Sequence, residues 1–267
     1  MPNKNEMPTV GFLGTGTITT ALVTAFCKDT SRPFPIVVSP LYEKNAAHLR
    51  AAFPDRVSVA KSLQEVADRS DWVVIAVLPN AGEEVCTNVK FRPEHKVINL
   101  MSDKLLPQIR EWIGETEILV HMIPLSFVAN QRGPIVLYPG IQEVIDLVSP
   151  IGEVIAVPER YHAAVFAGIT AFAASFFTLE DEIVRWAESL GVPEDLAKAY
   201  TTSFFAALAA QGHAADRPRL AELADEMTPG GINYAVKKYL DERGGFKMWI
   251  DSMEDVMERL AKGIPRG

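Results

Sequence analysis

The stretch Thr9-Val10-Gly11-Phe12-Leu13-Gly14-Thr15-Gly16-Thr17-Ile18-Thr19-Thr20-Ala21-Leu22 constrains this chain more than any other. Val10 to Leu13 is a short apolar run of the kind that makes a buried strand. Gly14 and Gly16 break it, and Ile18, Leu22, Ala25 and Phe26 then recur at helical spacing. A strand, a glycine turn and a helix in this order leave backbone N–H groups, and the positive end of a helix dipole, where a pyrophosphate can sit. Gly14 permits the tight turn and Gly16 lets the backbone approach phosphate oxygens, with Thr17 and Ile18 opening the helix. Thr19 stands at the third glycine position of the fingerprint, so the motif is partial.

The rest of the first half repeats the alternation. Strands are predicted at Ile36–Ser39, Val57–Ala60, Trp72–Val77, Lys96–Leu100, Glu117–His121, Ile135–Leu137 and Val154–Val157. Helices are predicted at Glu43–Phe53, at Leu63–Ala67, around Lys104–Trp112 and near Gln142–Val148. Ser62 caps the second of these, with Glu65 as the capping-box acid. Such spacing means an α/β domain with a doubly wound, mostly parallel sheet. From Pro158 strand signals stop. Helices are then predicted at Arg160–Thr178, Glu180–Leu190, Pro193–Ala210, Pro218–Glu226, Pro229–Arg243 and Phe246–Lys262, with breaks at Gly191-Val192-Pro193, Arg217-Pro218 and Gly244-Gly245. The expectation is a dinucleotide-binding domain over residues 1–157 and an all-helical domain over 158–267.

The net charge of −8 argues against a nucleic-acid partner, because phosphate binding needs a basic face. Cys27 and Cys86 lack metal-ligand spacing and suit a reduced core, so no metal is expected. The opening MPNKNEMPTV has no apolar signal core, which predicts a cytoplasmic protein. Tyr161 to Leu179 carries no Asp, Glu, Lys or Arg and is almost long enough to span a bilayer. It does carry His162, Thr170, Ser175 and Thr178, with Glu180 and Asp181 next, and reads as a buried helix of a soluble protein. Helices apolar on all sides are what an interlocked dimer requires, so a homodimer through the C-terminal helices is expected, with no membrane partner.

In NAD-binding folds the second strand usually ends in an acid that accepts from the ribose 2′-hydroxyl. Here it ends in Ser39-Pro40-Leu41-Tyr42. A small hydroxyl tolerates a 2′-phosphate that a carboxylate would repel, which favours NADP. Lys44 is within reach of such a phosphate, while Glu43 keeps NAD possible.

A second anion site is suggested by Asp225-Glu226-Met227-Thr228-Pro229-Gly230-Gly231-Ile232-Asn233-Tyr234. Thr228 is expected as N-cap and Pro229 at the first helical position, leaving Gly230 and Gly231 in the first turn. Two glycines there cost about 1 kcal/mol each relative to alanine, and a bare helix start suits a small carboxylate. Close packing of two helices would also explain them.

These motifs resemble the pyrroline-5-carboxylate reductase family over nearly the whole chain. Gly11 to Gly16 is similar to its opening glycine motif. Ile75-Ala76-Val77-Leu78-Pro79-Asn80 resembles its A-V-K-P-Q segment, and His121-Met122-Ile123-Pro124-Leu125-Ser126 stands where it has R-x-M-P-N-T. Met227 to Asn233 resembles its S-P-G-G-T-T signature, and Leu240 to Phe246 its L-E-x-x-G-F. The resemblance implies a Rossmann-type N-terminal domain, a dimer interlocked through the helical domain, and reduction of a small cyclic imine that carries a carboxylate, the L-proline-forming type of reaction. It implies Val77, Leu78 and Pro79 as further cofactor contacts. The carboxylate would rest on the amides around Gly230 and Gly231, beside Thr228 and Ile232, with Asn233 at the position that hydrogen-bonds the ring nitrogen. Leu78, Leu125, Ile232 and Asn233 depart from the family's residues, as does Ala167-Gly168-Ile169-Thr170-Ala171 from its G-S-G-P-A.

Hydride adds readily to an iminium carbon, so positioning dominates. Asn233 can hold the nitrogen but donates protons poorly, which leaves water, Thr228, Tyr234 or His121 as sources. His121 reads more readily as a packed histidine, and His213 as structural. Three alternatives remain: a paralogue acting on another imine, a hydroxyacid dehydrogenase, and a non-catalytic NADP-binding regulator. The second needs a lysine that Tyr161–Leu179 lacks.

Overall fold

A computed structural model of the chain describes residues 7–216, 219–262 and 264. The break expected at Arg217-Pro218 and the first residues of the expected leaderless N-terminus lie outside these. The described residues divide into two compact units, the first running to Ala167 and the second covering Gly168–Lys262. That division falls further along the chain than the boundary expected after residue 157.

In the first unit the order is β1 (Val10–Leu13), α1 (Thr17–Lys28), β2 (Ile36–Val38), α2 (Glu43–Ala52), β3 (Val57–Val59), α3 (Leu63–Asp68), β4 (Trp72–Ile75), α4 (Gly82–Asn88) and β5 (Lys96–Asn99). Then come α5 (Leu106–Ile113), β6 (Ile118–Ile123), β7 (Pro134–Tyr138), α6 (Gln142–Val148), β8 (Glu153–Ala156) and α7 (Arg160–Thr170), the last running past the division. One eight-stranded sheet results, ordered β3-β2-β1-β4-β5-β6-β7-β8. β1 to β6 are parallel, β7 runs against β6, and β8 follows β7. The sheet is thus mostly parallel and wound both ways from β1. Helices cover both faces. On one, Leu22 and Phe26 of α1, Leu49 of α2 and Leu147 of α6 pack on Phe12, Val38, Val74 and Val120. On the other, Val66 of α3, Cys86 of α4 and Ile109 of α5 pack on Leu13, Val73, Ile75 and Val97.

Register sets heights along the sheet. Leu13, Ile75, Asn99, His121 and Tyr138 share one row at the carboxyl end of β1, β4 and β5. Met122, Leu137 and Ala156 lie one row further, and Ile123, Val136 and Ile155 one row beyond that. β7 and β8 therefore start above the carboxyl lip and run down to it.

α3 starts as expected, with Ser62 Oγ accepting from Glu65 N at 3.1 Å. The Glu65 carboxylate reaches back to Lys61 N (2.8 Å) instead of to the cap's own N–H. α4 was not among the expected helices: its seven residues, with Glu83 and Glu84 in the first turn, are too few to show an apolar period.

The second unit holds the end of α7, then α8 (Phe172–Ser189), α9 (Glu194–Ala214), α10 (Ala221–Asp225), α11 (Ile232–Glu242) and α12 (Gly245–Leu260). The break expected before Glu180 is absent, because neither glycine nor proline stands there, and α8 runs through it. The chain breaks at Ala171, whose N–H closes a tighter turn on Gly168 O at 3.1 Å. Gly168 itself lies against α12, where a Cβ would come within 2.9 Å of Met257 Sδ. Arg160–Ser189, which includes the expected Tyr161–Leu179, is long and apolar enough to cross a membrane by length and composition, and little of it is covered within the chain itself. Phe176, Phe177 and Leu179 of α8 are exposed. So are Trp186 (65%) and, on α9, Tyr200 (74%), beside an apolar groove of about 800 Å³ lined also by Val192, Leu196, Phe204 and Phe205.

Candidate functional site

Winding outward from β1 in both directions makes the carboxyl ends of β1 and β4 the point where the strand order reverses. Open α/β sheets take their ligands in the crevice at that point. Gly14 turns the chain there with φ +104°, and an added Cβ would sit 2.4 Å from the Ala76 carbonyl oxygen at the end of β4. Both the backbone angle and the contact demand glycine. Gly16 differs: it is the N-cap of α1 with ordinary φ −78°, and an added Cβ would meet nothing within 4 Å. Neither the local backbone nor packing within the chain calls for glycine at 16, whereas close approach of a ligand to the backbone does. No side chain caps α1 and its first turn holds no acid, so the early N–H groups of the helix, around Thr17 and Ile18, have no intrahelical partner. Such a cradle fits a dinucleotide pyrophosphate.

Side chains fix the turn from behind. Gly14 N donates to Ser39 Oγ at 3.0 Å. Thr15 Oγ1 donates to Ser39 O at 2.8 Å and lies 3.1 Å from Ser39 Oγ. Asn45 Nδ2, from α2, donates to Thr15 O at 2.8 Å. Thr19 Oγ1 donates to Gly14 O, also at 2.8 Å. The residue that made the fingerprint partial therefore ties the helix back to the turn. Sequence reasoning missed Asn45 altogether, and nothing local signals a contact across thirty positions of chain.

Ser39 was expected beside the ribose 2′-position. It is fully buried, and its hydroxyl serves Gly14 and Thr15. The exposed groups at the tip of β2 are Leu41, Tyr42, Glu43 and Lys44. Beyond β4, Val77 and Pro79 are half-buried and Leu78 is 62% exposed, all close to the glycine turn, with Val77 Cγ1 3.1 Å from the ideal Cβ position of Gly14. Gly14, Gly16, Thr17, Ile18, Val77, Leu78 and Pro79 thus share one lip of the sheet.

The second set, Thr228 to Asn233, gathers in the second unit. Thr228 is not an N-cap. Gly231 N donates to Thr228 O at 3.0 Å and Gly230 has φ +77°, so Thr228-Pro229-Gly230-Gly231 forms a turn with the residue order of type II. α11 begins afterwards at Ile232, with Gly231 as a cap that offers no side chain. A Pro-Gly pair suits a turn better than a first helical turn, because Gly230 is then the residue that takes positive φ. The helix start remains bare and open: Thr228, Gly230, Ile232 (84%) and Asn233 are exposed. Asn233 Nδ2 has Met227 Sδ 3.5 Å away.

His121 is not at the surface. It is fully buried on β6, with Nδ1 3.2 Å from Asn99 Nδ2. Burial, with the charge of Arg160 second, pushes its pKa down to about 3, so the ring is neutral. Among the described residues no group of three or more His, Cys, Asp or Glu could hold a metal ion.

Comparison with known proteins adds three findings. The family model described as NADP oxidoreductase, coenzyme F420-dependent, matches residues 9–102, which hold β1 to β5. A pyrroline-5-carboxylate reductase of Corynebacterium melassecola is 23% identical over 273 residues, covering 96% of this chain and 100% of that protein. Two solved structures share the fold. One is a pyrroline-5-carboxylate reductase from Coxiella burnetii (TM-score 0.82, 18% identity, 98% of this chain and 100% of that one). The other is a Plasmodium falciparum pyrroline carboxylate reductase with NADP bound (TM-score 0.81, 16% identity, 96% and 97%). Along nearly its whole length the chain is thus similar to pyrroline-5-carboxylate reductases and shares their fold, and its first five strands match an NADP oxidoreductase family.

Proposed function

We propose that the chain is a cytoplasmic, NADPH-dependent reductase of a small cyclic imine bearing a carboxylate, with NADH as the weaker donor. The observation that carries this reading is Gly16: a glycine that the chain's own packing does not require, at the mouth of a bare helix, at the switch point of the sheet. A bound reduced nicotinamide supplies the hydride. The substrate takes it at the imine carbon as an iminium ion, already protonated on nitrogen by solvent. The C=N pair collapses onto that nitrogen and a neutral secondary amine leaves. Asn233 orients the N–H, and the amides around Gly230 and Gly231, beside Thr228 and Ile232, seat the carboxylate. The preference for NADPH rests on the lack of an acid over Ser39–Tyr42, where β2 ends, with Lys44 as the nearby cation and Glu43 as the one acid that would favour NADH. The exposed apolar face of α8 and α9 is what a second copy would cover, as in the homodimer expected from sequence.

The test is NADPH oxidation with pyrroline-5-carboxylate, run beside other cyclic imines and 3-hydroxy acids. We expect turnover with a cyclic imine carboxylate and a lower KM for NADPH than for NADH. Asn233→Ala should lower kcat by roughly 10- to 100-fold with NADPH affinity unchanged; unaltered kcat removes Asn233 from the chemistry. One observation favours a second reading. Leu78 and Ile232 put exposed apolar side chains at two positions implied to face ligands, as would suit a regulator that binds NADP without turnover. Tight NADPH binding with no reaction across the panel would decide for it.

A further inference from the structure

Two neighbouring elements hold the glycine turn from behind. From the end of β2, Ser39 Oγ accepts from Gly14 N (3.0 Å) and Ser39 O accepts from Thr15 Oγ1 (2.8 Å). That hydroxyl hydrogen is then committed, so the 3.1 Å contact between the two hydroxyls has Ser39 Oγ donating to Thr15 Oγ1. Thr15 and Ser39 are both fully buried. The other hold comes from α2, where Asn45 Nδ2 donates to Thr15 O at 2.8 Å. A carbonyl cannot accept from a carbonyl, so the nitrogen of the Asn45 amide, not its oxygen, faces the turn.

The Asn45 bond fixes something that the Ser39 bonds do not. The Thr15–Gly16 peptide is planar and trans, so its carbonyl and its N–H point in opposite directions. A donor that anchors Thr15 O on the α2 side therefore turns Gly16 N–H away from α2. Among the described residues nothing accepts from that N–H, and a Cβ at Gly16 would meet nothing within 4 Å. A free N–H on a half-buried residue, with open space beside it, suits an acceptor that the chain does not supply. The start of α2 is itself unusual. Tyr42 takes the left-handed φ of 60°, which side chains rarely adopt, and no side chain caps the helix. Tyr42, Glu43 and Lys44 stay exposed, while Asn45 is half-buried against the turn.

We propose that Asn45 is a positioning residue for the cofactor: from α2 it aims Gly16 N–H at the pyrophosphate. The proposal rests on the reading of this crevice as a dinucleotide site. Under that reading the ribose end lies by Tyr42, Glu43 and Lys44, so one helix both meets that end and sets the turn. Without the Asn45 bond the Thr15–Gly16 peptide is free to rotate. Its N–H must then be ordered at the moment of binding, which weakens the hold on the pyrophosphate and leaves the ribose end as it was.

The test compares two ligands on wild type and on Asn45→Leu, which keeps the side chain's branching but has no donor. In fluorescence titrations the dissociation constant for NADPH should rise roughly tenfold. That for adenosine 2′-monophosphate, which has the ribose end but no pyrophosphate, should stay within about twofold. A crystal of the unliganded variant should show α2 in place and the Thr15–Gly16 peptide turned or in two orientations. Equal affinity of the two proteins for NADPH overturns the proposal, as does a peptide that has not moved. So does equal weakening of both ligands, which would make Asn45 a brace for α2 and nothing more. Should wild type bind too little of the monophosphate to titrate, the crystal decides between aiming and bracing. Wild type without affinity for NADPH would instead sink the cofactor reading, and this proposal with it. Should the leucine variant not fold, Asn45→Ala takes its place in each measurement.

Discussion

His121 and His95 carry their protons differently from free histidines. His95 is fully buried, accepts from Arg92 N at 3.0 Å and lies 3.0 Å from Ala67 O through Nε2. Burial, with Arg92 second, lowers its pKa, as burial and Arg160 lower that of His121 to about 3 from 6.5. Below about pH 6.5 the unfolded chain takes up protons that these folded rings refuse. Their contribution to stability is thus complete above about pH 6.5 and is lost as pH falls, for His121 down to about 3. For His121 the loss should approach about 1.4 kcal/mol per pH unit once the unfolded histidine is fully charged, and His95 adds to it in the same direction. Urea midpoints measured from pH 7.5 down to 5 should fall, and His121→Gln should flatten that slope. An identical slope in the variant would mean that His121 titrates as freely folded as unfolded.

At the scale of single elements, the two glycines of the first turn should separate. Gly14→Ala forces a side chain into φ +104° and against the Ala76 carbonyl. It should cost about 3 kcal/mol and lower the melting temperature with or without cofactor. Gly16→Ala has room within the chain. It should cost about 1 kcal/mol or less yet weaken NADPH binding roughly tenfold, read by fluorescence titration. Equal affinity in Gly16→Ala and wild type would leave that glycine without a ligand to explain it. The strands around this turn were legible because each is an apolar run between breakers, and all eight fall within a few residues of where the sequence puts them. The inward turn of Ser39 and the reach of Asn45 were not legible, because both depend on which elements become neighbours. Thr228-Pro229-Gly230-Gly231 was legible as a breaker but not as a particular one. A Pro-Gly pair can open a helix or close a turn, and the positive φ of Gly230 decides for the turn.

For the whole molecule, the sheet unit has a core closed on both faces, whereas the helical unit does not cover its own apolar side chains. Trp186, Leu196, Tyr200 and Phe204 are exposed on one side of α8 and α9. Soluble monomers rarely display so continuous an apolar surface. If a second copy covers it, Tyr200→Asp should weaken association by about 2 kcal/mol or more, roughly 30-fold in dissociation constant. Sedimentation velocity at low micromolar protein should then show wild type as a dimer and the variant as a monomer with unchanged helical content. Sequence alone pointed to Tyr161–Leu179 for this contact, since absence of charge was the visible signal. The structure puts the largest exposed aromatics at the charged end of α8, among acids that hide the stripe, and on α9, among Thr, Ser and Ala.

The offset of β7 and β8 gives the crevice two unlike ends. Past β3 the lip simply stops, whereas past β6 the backbone climbs above it. A long guest lying across the strands meets a bulkhead on one side and an open berth on the other. On strand register alone, such a guest would be stopped at the walled end before the other.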